Sequence, residues 1–577
     1  MRADCGRCPV PSRRRLRLAV AAATLLALLT GCASIPQSGS VHAAPPQNAD
    51  DGLELDILAR DPQAGASQAE ILLGFIDAAA SPQSDWETAR KYLTSAWSDQ
   101  WNPREGATVD RSADRIYAST GELSMSLQVT PLADVSTHGQ YAESDSSAPS
   151  TLDYEFQKVK GQWRISKAPQ GIVIDRPTFQ LVFGAYPLYF FDPSFSYLVP
   201  DLRYFPRTLS TPAQVTRELL AGPSPWLAGA VVSAFPEGTS LTSDSVQVVS
   251  RTARVDLNAE ALKADAGTLV RMKQQLTESL VGSVSTVGSV AISVNQIDQE
   301  VPDSSVNAAT TDPAIDSRAL VLRAGAFGFL APTGDTIDPI AGISETVAAL
   351  APSAVTLGPG QSAAAVLSPA GVALVRAGNP AVPLDDRPNL IAPSVDGFGV
   401  VWSVPADAPG AMKAYAPDGS ANAVATSWPD ATRIIAFRLS RDGTRLIALI
   451  DTGAGSRLVA AAIVRGDGDK RQVPLKLGPP LTLANVAGSP RDIAWVDEST
   501  VVSLTAVGDG STTIVTQQVG GPSDLLDGNS GATAIGSGTS VRDLRLLGGD
   551  GWLQQRRGIG WQPRIDGVVL LATQQGL

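Results

Sequence analysis

The spacing of apolar residues changes along the chain and divides it into regions of different predicted structure. Residues 18–29 form a dense apolar run, residues 71–79 carry apolar side chains at helical spacing, and several later segments alternate apolar and polar residues. Helical spacing is typical of amphipathic helices, and strict alternation is typical of half-buried strands. Because 577 residues are too many for one compact core, we expect several domains.

Residues 63–175 are predicted to form helices followed by strands. Ser67 and Glu70 make a capping-box pattern before an apolar helix face, and Ser84 and Glu87 make a second such pattern before a helix that includes residues 86–97. Helices that lead into a meander of strands indicate a small α+β cone similar to the NTF2-like fold. The predicted strands are 123–129, 152–159, 161–165 and 172–174.

Residues 188–298 are predicted to form a second, α/β domain without a phosphate-binding loop. Thr211 as N-cap and Pro212 as first helical residue begin a helix, and Gly222 ends it. Apolar residues at 269, 272, 276 and 280 mark another helix. A hairpin over 189–199 and strands at 246–249, 253–257 and 290–294 complete this domain.

After a polar linker at 301–337, residues 338–577 are predicted to be all β. The segment LSPAGVALV at 367–375 resembles LSRDGTRLIAL at 439–449, with less faithful copies at 395–402 and 492–497. Tight turns such as Asp-Gly between alternating segments indicate β-hairpins. Their spacing of roughly 40–70 residues suits propeller blades of about 40–50 residues, so five or six blades would fit. An irregular β-sandwich is the alternative.

The apolar run at 18–29 has the surroundings of a lipoprotein signal peptide. Six arginines precede it, and it is too short to span a bilayer. Leu29, Thr30, Gly31 and Cys32 then match the bacterial lipobox, in which small residues admit the peptidase and the cysteine thiolate takes the diacylglycerol. We predict cleavage between Gly31 and Cys32, lipidation of Cys32 and a flexible tether over 32–62. The alternatives are an ordinary signal peptide with a chance cysteine and a buried core helix. Residues 12–16 partly resemble a twin-arginine signal, so both export routes stay open.

Composition and charge exclude several classes of protein. Two histidines and three cysteines are too few for most zinc, haem and iron–sulfur sites. The net charge of −12 argues against a nucleic-acid partner. Loss of the six arginines and one aspartate of residues 1–31 would change that charge to −17. Such an acidic body should be repelled by anionic headgroups and stand off the membrane.

The second domain resembles a GerMN domain. The resemblance lies in LLAGP at 219–223, FPEGT at 235–239 and ARVDL at 253–257, which are mainly structural turns. The order of lipobox, cone, GerMN-like domain and β repeats resembles the actinobacterial lipoprotein LpqB family over nearly the whole chain. That resemblance implies a non-enzymatic accessory protein, without a cofactor, that binds the extracytoplasmic sensor region of the Mtr two-component histidine kinase and influences envelope homeostasis and cell division. Cys32 is the one site residue that it transfers.

Candidate catalytic residues are sparse. In the cone, His138 with Asp153 or Glu155 is the conceivable acid/base pair, but His138 lies in a predicted turn and is better explained as a solvated loop residue. The sequence DGD at 467–469 could contact calcium, although further ligands at suitable offsets are missing. A glycosidase needs only two carboxylates, and no pair stands out.

The leading interpretation is therefore a membrane-tethered interaction protein. The runner-up is an envelope hydrolase, or a protein that binds a glycan or peptidoglycan fragment at the propeller mouth. A purely structural spacer is the third possibility. A ring of convergent carboxylates or aromatic residues near one end of the channel would favour the runner-up, whereas burial of the aromatic residues in the blades would oppose it. The candidate aromatic residues are Trp402, Trp495, Trp552 and Trp561.

Overall fold

The computed structural model describes residues 59–144, 148–302, 308–466 and 473–576. All of them belong to one compact unit, Gly52–Leu577. In this described part, no helix is both long and apolar enough to cross a bilayer. Three modules follow one another along the unit, and each is built from the sheets given below.

The first helix confirms the predicted capping box. In α1 (Gln68–Ala79), the Ser67 side chain accepts a hydrogen bond from the Glu70 N–H, and Glu70 Oε2 accepts one from the Ser67 N–H at 2.7 Å. These bonds satisfy amides that a helix start would leave unpaired. The predicted face is buried, and its buried residues are Ile71, Leu72, Phe75, Ile76 and Ala79.

The second predicted helix is wrong as a continuous element. Ser84 has a φ of +47° and makes no helix cap, and Trp86 has a left-handed backbone immediately before the helix starts. The chain then leaves the helix to join a sheet, because the Thr94 N–H donates to the Ile165 carbonyl at 2.8 Å. Two single-turn helices result, α2 (Glu87–Arg90) and α3 (Ser95–Ser98).

Two four-stranded sheets complete the first module. One has the order β5-β4-β1-β8 and the other the order β2-β3-β6-β7, and α1 packs on β7 and β8. The four strands predicted for this region are confirmed. The bounds are β1 Gly106–Asp110, β2 Ile116–Gly121, β3 Ser124–Val129, β4 Ala133–Ser136, β5 Tyr141–Glu143, β6 Ser150–Val159, β7 Gln162–Lys167 and β8 Ile172–Asp175.

The second module is the predicted α/β domain. A long hairpin, β9-β10, stands beside a sheet of order β11-β12-β13-β14 in which β12 and β13 are parallel. Gly222 ends α5 with a φ of +101°, as predicted. The bounds are α4 Arg176–Val182, β9 Phe183–Phe191, β10 Leu198–Pro206, α5 Thr211–Ala221, β11 Gln247–Val249, β12 Thr252–Leu257, α6 Ala266–Leu280, β13 Ser289–Val294 and β14 Ile297–Asp298.

The predicted cap of α5 is displaced by one residue. Thr211 is the first helical residue rather than the N-cap, and Ser210 occupies the cap position without a side-chain bond. The Thr211 hydroxyl instead donates to the Pro206 carbonyl at 3.0 Å and accepts from the Thr208 N–H at 2.9 Å. These bonds tie the start of α5 to the end of β10.

In the described residues, six sheets form the third module, antiparallel apart from one parallel strand pair, and the first strands of most neighbouring sheets pack against one another. This is the arrangement of propeller blades. The bounds are β15 Leu320–Arg323, β16 Ala326–Leu330, β17 Ile337–Asp338, α7 Ser344–Ala349, β18 Ala354–Leu357, β19 Ala363–Ser368, β20 Gly371–Arg376, β21 Val382–Asp385, β22 Ser394–Val395, β23 Val401–Ser403, β24 Lys413–Tyr415, β25 Ala421–Ala423, β26 Ala431–Leu439, β27 Arg445–Thr452, β28 Gly455–Arg465, β29 Pro474–Leu477, β30 Leu481–Val486, β31 Ser489–Trp495, β32 Thr500–Ala506, β33 Thr512–Gln518, β34 Ser523–Leu526, β35 Ala532–Gly536, β36 Arg545–Gly548, β37 Leu553–Arg557, β38 Gly560–Ile565, β39 Val568–Leu571 and β40 Thr573–Gln574.

The ring is closed by strands from both ends of the third module. The late strand β39 pairs with β15, giving the order β17-β16-β15-β39, and β40 runs parallel to β18 of the next sheet. Strands β15 and β16 lie inside the range 301–337, for which we predict a linker. That range therefore contributes to the first blade, because its apolar strands find their partner at the far end of the chain.

The repeated segments do not all occupy the same place in a blade. The copies at 395–402, 439–449 and 492–497 span or lead into the turn between the first and second strands of a sheet. The copy at 367–375 spans the turn between β19 and β20, the second and third strands. Similar local sequences form hairpins in both places because hairpin formation depends on the turn residues.

Candidate functional site

The turns after β22, β26 and β31 lie on one end of the propeller, which we call the upper face. Each turn contains an aspartate, Asp396, Asp442 or Asp497, whose Oδ1 accepts the N–H of the residue two positions later at 2.9–3.0 Å. Aspartate favours turns for this reason. The three turns thus form a surface on which other segments of the chain pack.

Buried arginines neutralise two of these aspartates. Asp442 Oδ2 accepts from Arg445 Nη2 at 2.6 Å, and the Arg445 guanidinium lies over the Trp495 ring at 5.1 Å. Asp396 Oδ2 accepts from Arg465 at 2.7 Å. Burial alone would raise the pKa of Asp442, but Arg445 and the bonds from Thr444 outweigh it and hold that pKa below its ordinary value.

The second module is fastened to the upper face by a group that we call the module junction: Tyr189, Asp312, Arg441 and Glu498. Tyr189 of β9 donates its hydroxyl to Glu498 Oε1 at 2.5 Å, and the Asp312 N–H donates to Glu498 Oε2 at 3.0 Å. Arg441 Nη1 lies 3.5 Å from Asp312 Oδ1. One carboxylate of the propeller thus holds both the β9 strand and the segment that leads from the second module to β15.

Desolvation dominates the electrostatics of the module junction. Burial raises the pKa of Glu498 to about 7, although the Tyr189 hydrogen bond opposes this. Burial also raises the pKa of Asp312 and lowers that of Arg441. A carboxyl with a raised pKa is what a general acid requires. Here, however, both oxygens of Glu498 are engaged by protein donors, so the geometry serves attachment.

A small cavity lies on the upper face, where the ring is filled by the chain itself. Gln575 donates to Ser394 Oγ at 2.8 Å, and Gln574 donates to the carbonyls of Asp316 and Arg318, both at 3.1 Å. The buried guanidiniums of Arg438 and Arg441 line the cavity, and the Arg438 guanidinium is paired with Asp492 at 2.8 Å. The polar and aromatic lining consists of Arg438, Arg441, Trp495, Ser537, Gln574 and Gln575.

The hairpin β9-β10 also contacts the first module and a second point of the propeller. The Arg203 Nη1 donates to the His138 carbonyl at 2.8 Å, and Arg203 Nη2 donates to Asp201 Oδ2 at 2.8 Å. Tyr204 donates to Gln518 Oε1 of the propeller at 2.8 Å. The hairpin β9-β10 therefore carries contacts to both other modules.

The histidine and carboxylates proposed for the cone do not meet. His138 lies in the predicted turn, and its Nδ1 is 3.0 Å from Glu218 Oε2 in α5. Asp153 and Glu155 are exposed on β6, opposite in direction to buried Tyr154 of the same strand. The pairing of His138 with Glu218 joins two modules and was not foreseen from sequence.

The tryptophans considered for the propeller mouth are mostly in the blades. Trp402 is fully buried, and its indole donates to Asp396 at 3.3 Å. Trp495 is buried beneath Arg445, and Trp561 donates to the Asp527 carbonyl at 2.7 Å. Trp552 is 39% exposed. These positions do not form a ring of aromatic side chains around an open mouth.

Two predicted sites lie outside the described residues: the lipobox with Gly31 and Cys32, and the DGD turn at 467–469. Within the ranges that the structure describes, no group of three or more potential metal ligands is brought together. Sequence reasoning missed the module junction. Of its residues, Arg441 lies in a recognisable pattern, the repeat at 439–449. Nothing in the sequence around Tyr189 or Glu498 indicates a contact between modules.

Comparison with known proteins follows the three modules. The family model of the lipoprotein LpqB N-terminal domain matches residues 61–180, that described as sporulation and spore germination matches 187–300, and that of the lipoprotein LpqB beta-propeller domain matches 328–570. Lipoprotein LpqB of Cutibacterium acnes is 32% identical over 278 residues, which cover 47% of this chain and 45% of the relative. Lipoprotein LpqB of Thermobifida fusca is 31% identical over 282 residues, covering 46% and 44%.

The chain thus spans about half the length of these curated relatives in the alignments. Among solved structures, the first GerMN domain of the sporulation protein GerM from Bacillus subtilis is 24% identical, covers 20% of this chain and 88% of that chain, and has a TM-score of 0.18.

Proposed function

Since this chain belongs to the lipoprotein LpqB family, we propose that it is a lipid-anchored accessory protein that acts outside the cytoplasm by binding another protein. Cleavage between Gly31 and Cys32 and acylation of Cys32 would supply the anchor. The proposed partner is the extracytoplasmic region of the sensor kinase of the Mtr two-component system. Through that kinase the protein would influence envelope homeostasis and cell division, without a catalytic step of its own.

The observation that supports a binding role best is the occupied upper face of the propeller. Tyr189, Asp312 and Gln575 are packed on that face, so the chain itself covers the surface at this end of the propeller. The module junction, which contains several buried polar groups of this face, therefore serves to join modules. What remains for partners is the outer surface of three modules held in fixed relation, which suits recognition of a folded protein.

The lipid anchor makes weak recognition sufficient. Two proteins confined to one membrane meet at an effective concentration far above that in solution, so modest affinity can give stable association. We also propose that the first module, over 63–175, is NTF2-like, since helix α1 lies against two four-stranded sheets. The further boundaries, 188–298 for the GerMN-like domain and a propeller to residue 577, belong to this proposal.

Co-reconstitution with the kinase tests the proposed function. The full lipidated chain and the full kinase are placed in the same vesicles, and co-purification and kinase autophosphorylation are measured. The proposal predicts co-purification and a changed autophosphorylation rate, both reduced strongly for Cys32→Ala added from solution. Absence of both effects with the lipidated chain contradicts it. Turnover of cell-wall fragments by the purified chain would contradict the non-enzymatic role.

A further inference from the structure

The hairpin of β37 and β38 ends in an exposed apolar tip. Arg557 pairs with Gly560 across the hairpin, Gly558 makes the turn with a φ of +62°, and Ile559 at the tip is 84% exposed. Most of the isoleucine side chain therefore lies outside the core of the protein. The supporting strand is nevertheless well anchored, because Leu553 of β37 is 1% exposed.

Arginines surround this tip in a chain whose net charge is −12. Arg557 is exposed at the end of β37, and Arg556 precedes it with an N–H that donates to the Leu544 carbonyl at 3.1 Å. That bond places the loop carrying exposed Arg542 against β37. Two acids lie near it: Asp543, which accepts a hydrogen bond from Ser540 at 2.9 Å, and exposed Asp527, whose carbonyl accepts from the Trp561 indole of β38 at 2.7 Å. Arg556 is half-buried and its Nε donates to the Gly558 carbonyl at 3.3 Å, so we call only Arg542, Arg557 and Ile559 the basic tip.

We propose that the basic tip docks on the anionic surface of the bilayer in which the protein is anchored. This inference rests on the lipid anchor of the proposed function. An exposed isoleucine can enter the boundary between headgroups and acyl chains, while flanking arginines remain among the phosphates. Each basic residue near an anionic surface strengthens attachment about fivefold.

The segment between Cys32 and the first described residue is long enough to allow this contact. Cys32 and Ala59 are 27 residues apart. Fully extended at about 3.5 Å per residue, that segment spans about 95 Å at most. The anchored body therefore stays within about 95 Å of the bilayer, a range that includes direct contact. Its remaining acidic surface is repelled by anionic lipid, so a basic, apolar point is favoured as the contact and orients the body.

A second exposed isoleucine provides a matched comparison. Ile297 begins the short strand β14, is 68% exposed and is followed by Asp298 and Glu300. It has the same side chain in an acidic setting. If exposed apolar area alone caused membrane contact, both isoleucines would enter the bilayer; if the arginines decide, Ile559 alone would.

A fluorescent label distinguishes these outcomes in the full lipidated chain. Ile559→Cys and Ile297→Cys each add one free thiol, because Cys32 would be acylated and Cys5 and Cys8 removed. An environment-sensitive dye is attached, and the proteins are reconstituted in vesicles of phosphatidylcholine alone or with 30% phosphatidylglycerol. We expect a blue shift for the 559 label in anionic vesicles only, and none for the 297 label.

The arginines are tested in the same vesicles. Arg542→Gln together with Arg557→Gln should weaken the contact about 25-fold, and 0.5 M salt should weaken it as well. An unshifted 559 label on protein that still floats with the vesicles overturns the inference while leaving the anchor intact. Equal shifts at 559 and 297 overturn it too. Protein that fails to float indicates failure of the anchor, and with it of the proposed function.

Discussion

Tyr189 donates a hydrogen bond of 2.5 Å to Glu498, which lies 309 residues further along the chain. The bond joins a strand of the GerMN-like module to a turn of the propeller. Both groups are largely withdrawn from water, and Glu498 also accepts the Asp312 N–H. This single carboxylate therefore couples the stability of two modules and of the segment between them.

Tyr189→Phe should lower the free energy of unfolding by about 1–3 kcal/mol. The substitution keeps the ring but leaves one oxygen of a buried carboxylate without its donor, which is the costly way to lose a hydrogen bond. Urea denaturation at pH 8 measures the change. A double-mutant cycle with Glu498→Gln provides the control: the two effects should be clearly non-additive. Additive effects would contradict direct coupling.

The raised pKa of Glu498, about 7, predicts a particular pH dependence. Between its ordinary value near 4.5 and 7, the folded state binds the proton more tightly than the unfolded state. The free energy of unfolding should therefore fall as pH rises through this window, by about 3 kcal/mol at most, and level off above it. Glu498→Gln should remove this part of the slope.

Unfolding of both proteins at pH 5, 6, 7 and 8 measures this difference. Asp312 and Asp492 also have pKa values raised by burial, so the wild-type curve contains contributions of the same sign. The difference between wild type and variant gives the contribution of Glu498 together with any change that the substitution causes at Asp312, which is bonded to it. Parallel curves for the two proteins would show that Glu498 has the same pKa in the folded protein as in the unfolded chain.

Local structure was predictable where neighbouring residues decide it. The capping box of Ser67 and Glu70 and the stop at Gly222 involve groups a few residues apart, and both are present. Ser84 shows the limit of such reasoning. Its spacing to Glu87 suits a cap, but Trp86 is buried with its indole donating to the Ala79 carbonyl at 2.8 Å, and Ser84 takes a φ of +47° instead of capping the helix.

Long-range pairing could not be predicted from the same patterns. The short apolar segment of β15 would suit many strand partners, and besides β16 it pairs with β39, about 250 residues later. The repeat at 367–375 shows a related limit, because a turn pattern does not specify which strands of a blade it joins. The module junction depends on four distant segments, and apart from Arg441 in the repeat at 439–449 none of its residues lies in a distinctive pattern.

Asp442→Asn should destabilise the propeller by about 3–5 kcal/mol. Arg445 is 1% exposed in its side chain and relies on Asp442 for its charge partner, so the substitution leaves a buried cation uncompensated. Thermal and urea unfolding measure the effect. Asp418→Asn is the matched control, because Asp418 accepts the Ser420 N–H in a similar turn but is exposed. Its effect should be much smaller. Equal effects would mean that the loss of stability comes from the hydrogen bond in the turn and not from the buried arginine.

The closing strand offers two adjacent residues with opposite environments. Leu570 of β39 is 9% exposed and packs in the core of the first blades, whereas Val569 is 69% exposed. Leu570→Ala should cost about 2–5 kcal/mol because it leaves a cavity, and Val569→Ala should stay within about 0.5 kcal/mol. Urea denaturation compares them. Similar small effects would mean that β39 does not hold the ring closed.

Cys32→Ala should abolish lipid attachment, because the cysteine thiolate is the atom that takes the diacylglycerol. The variant should appear in the soluble fraction or retain its signal peptide as a larger precursor. Metabolic labelling with an alkyne fatty acid, followed by fractionation and mass measurement, tests this. Cys5→Ala and Cys8→Ala are the controls: both residues precede the predicted cleavage site, so acylation and membrane recovery should be unchanged. Label that persists in Cys32→Ala would place the acyl group on another residue.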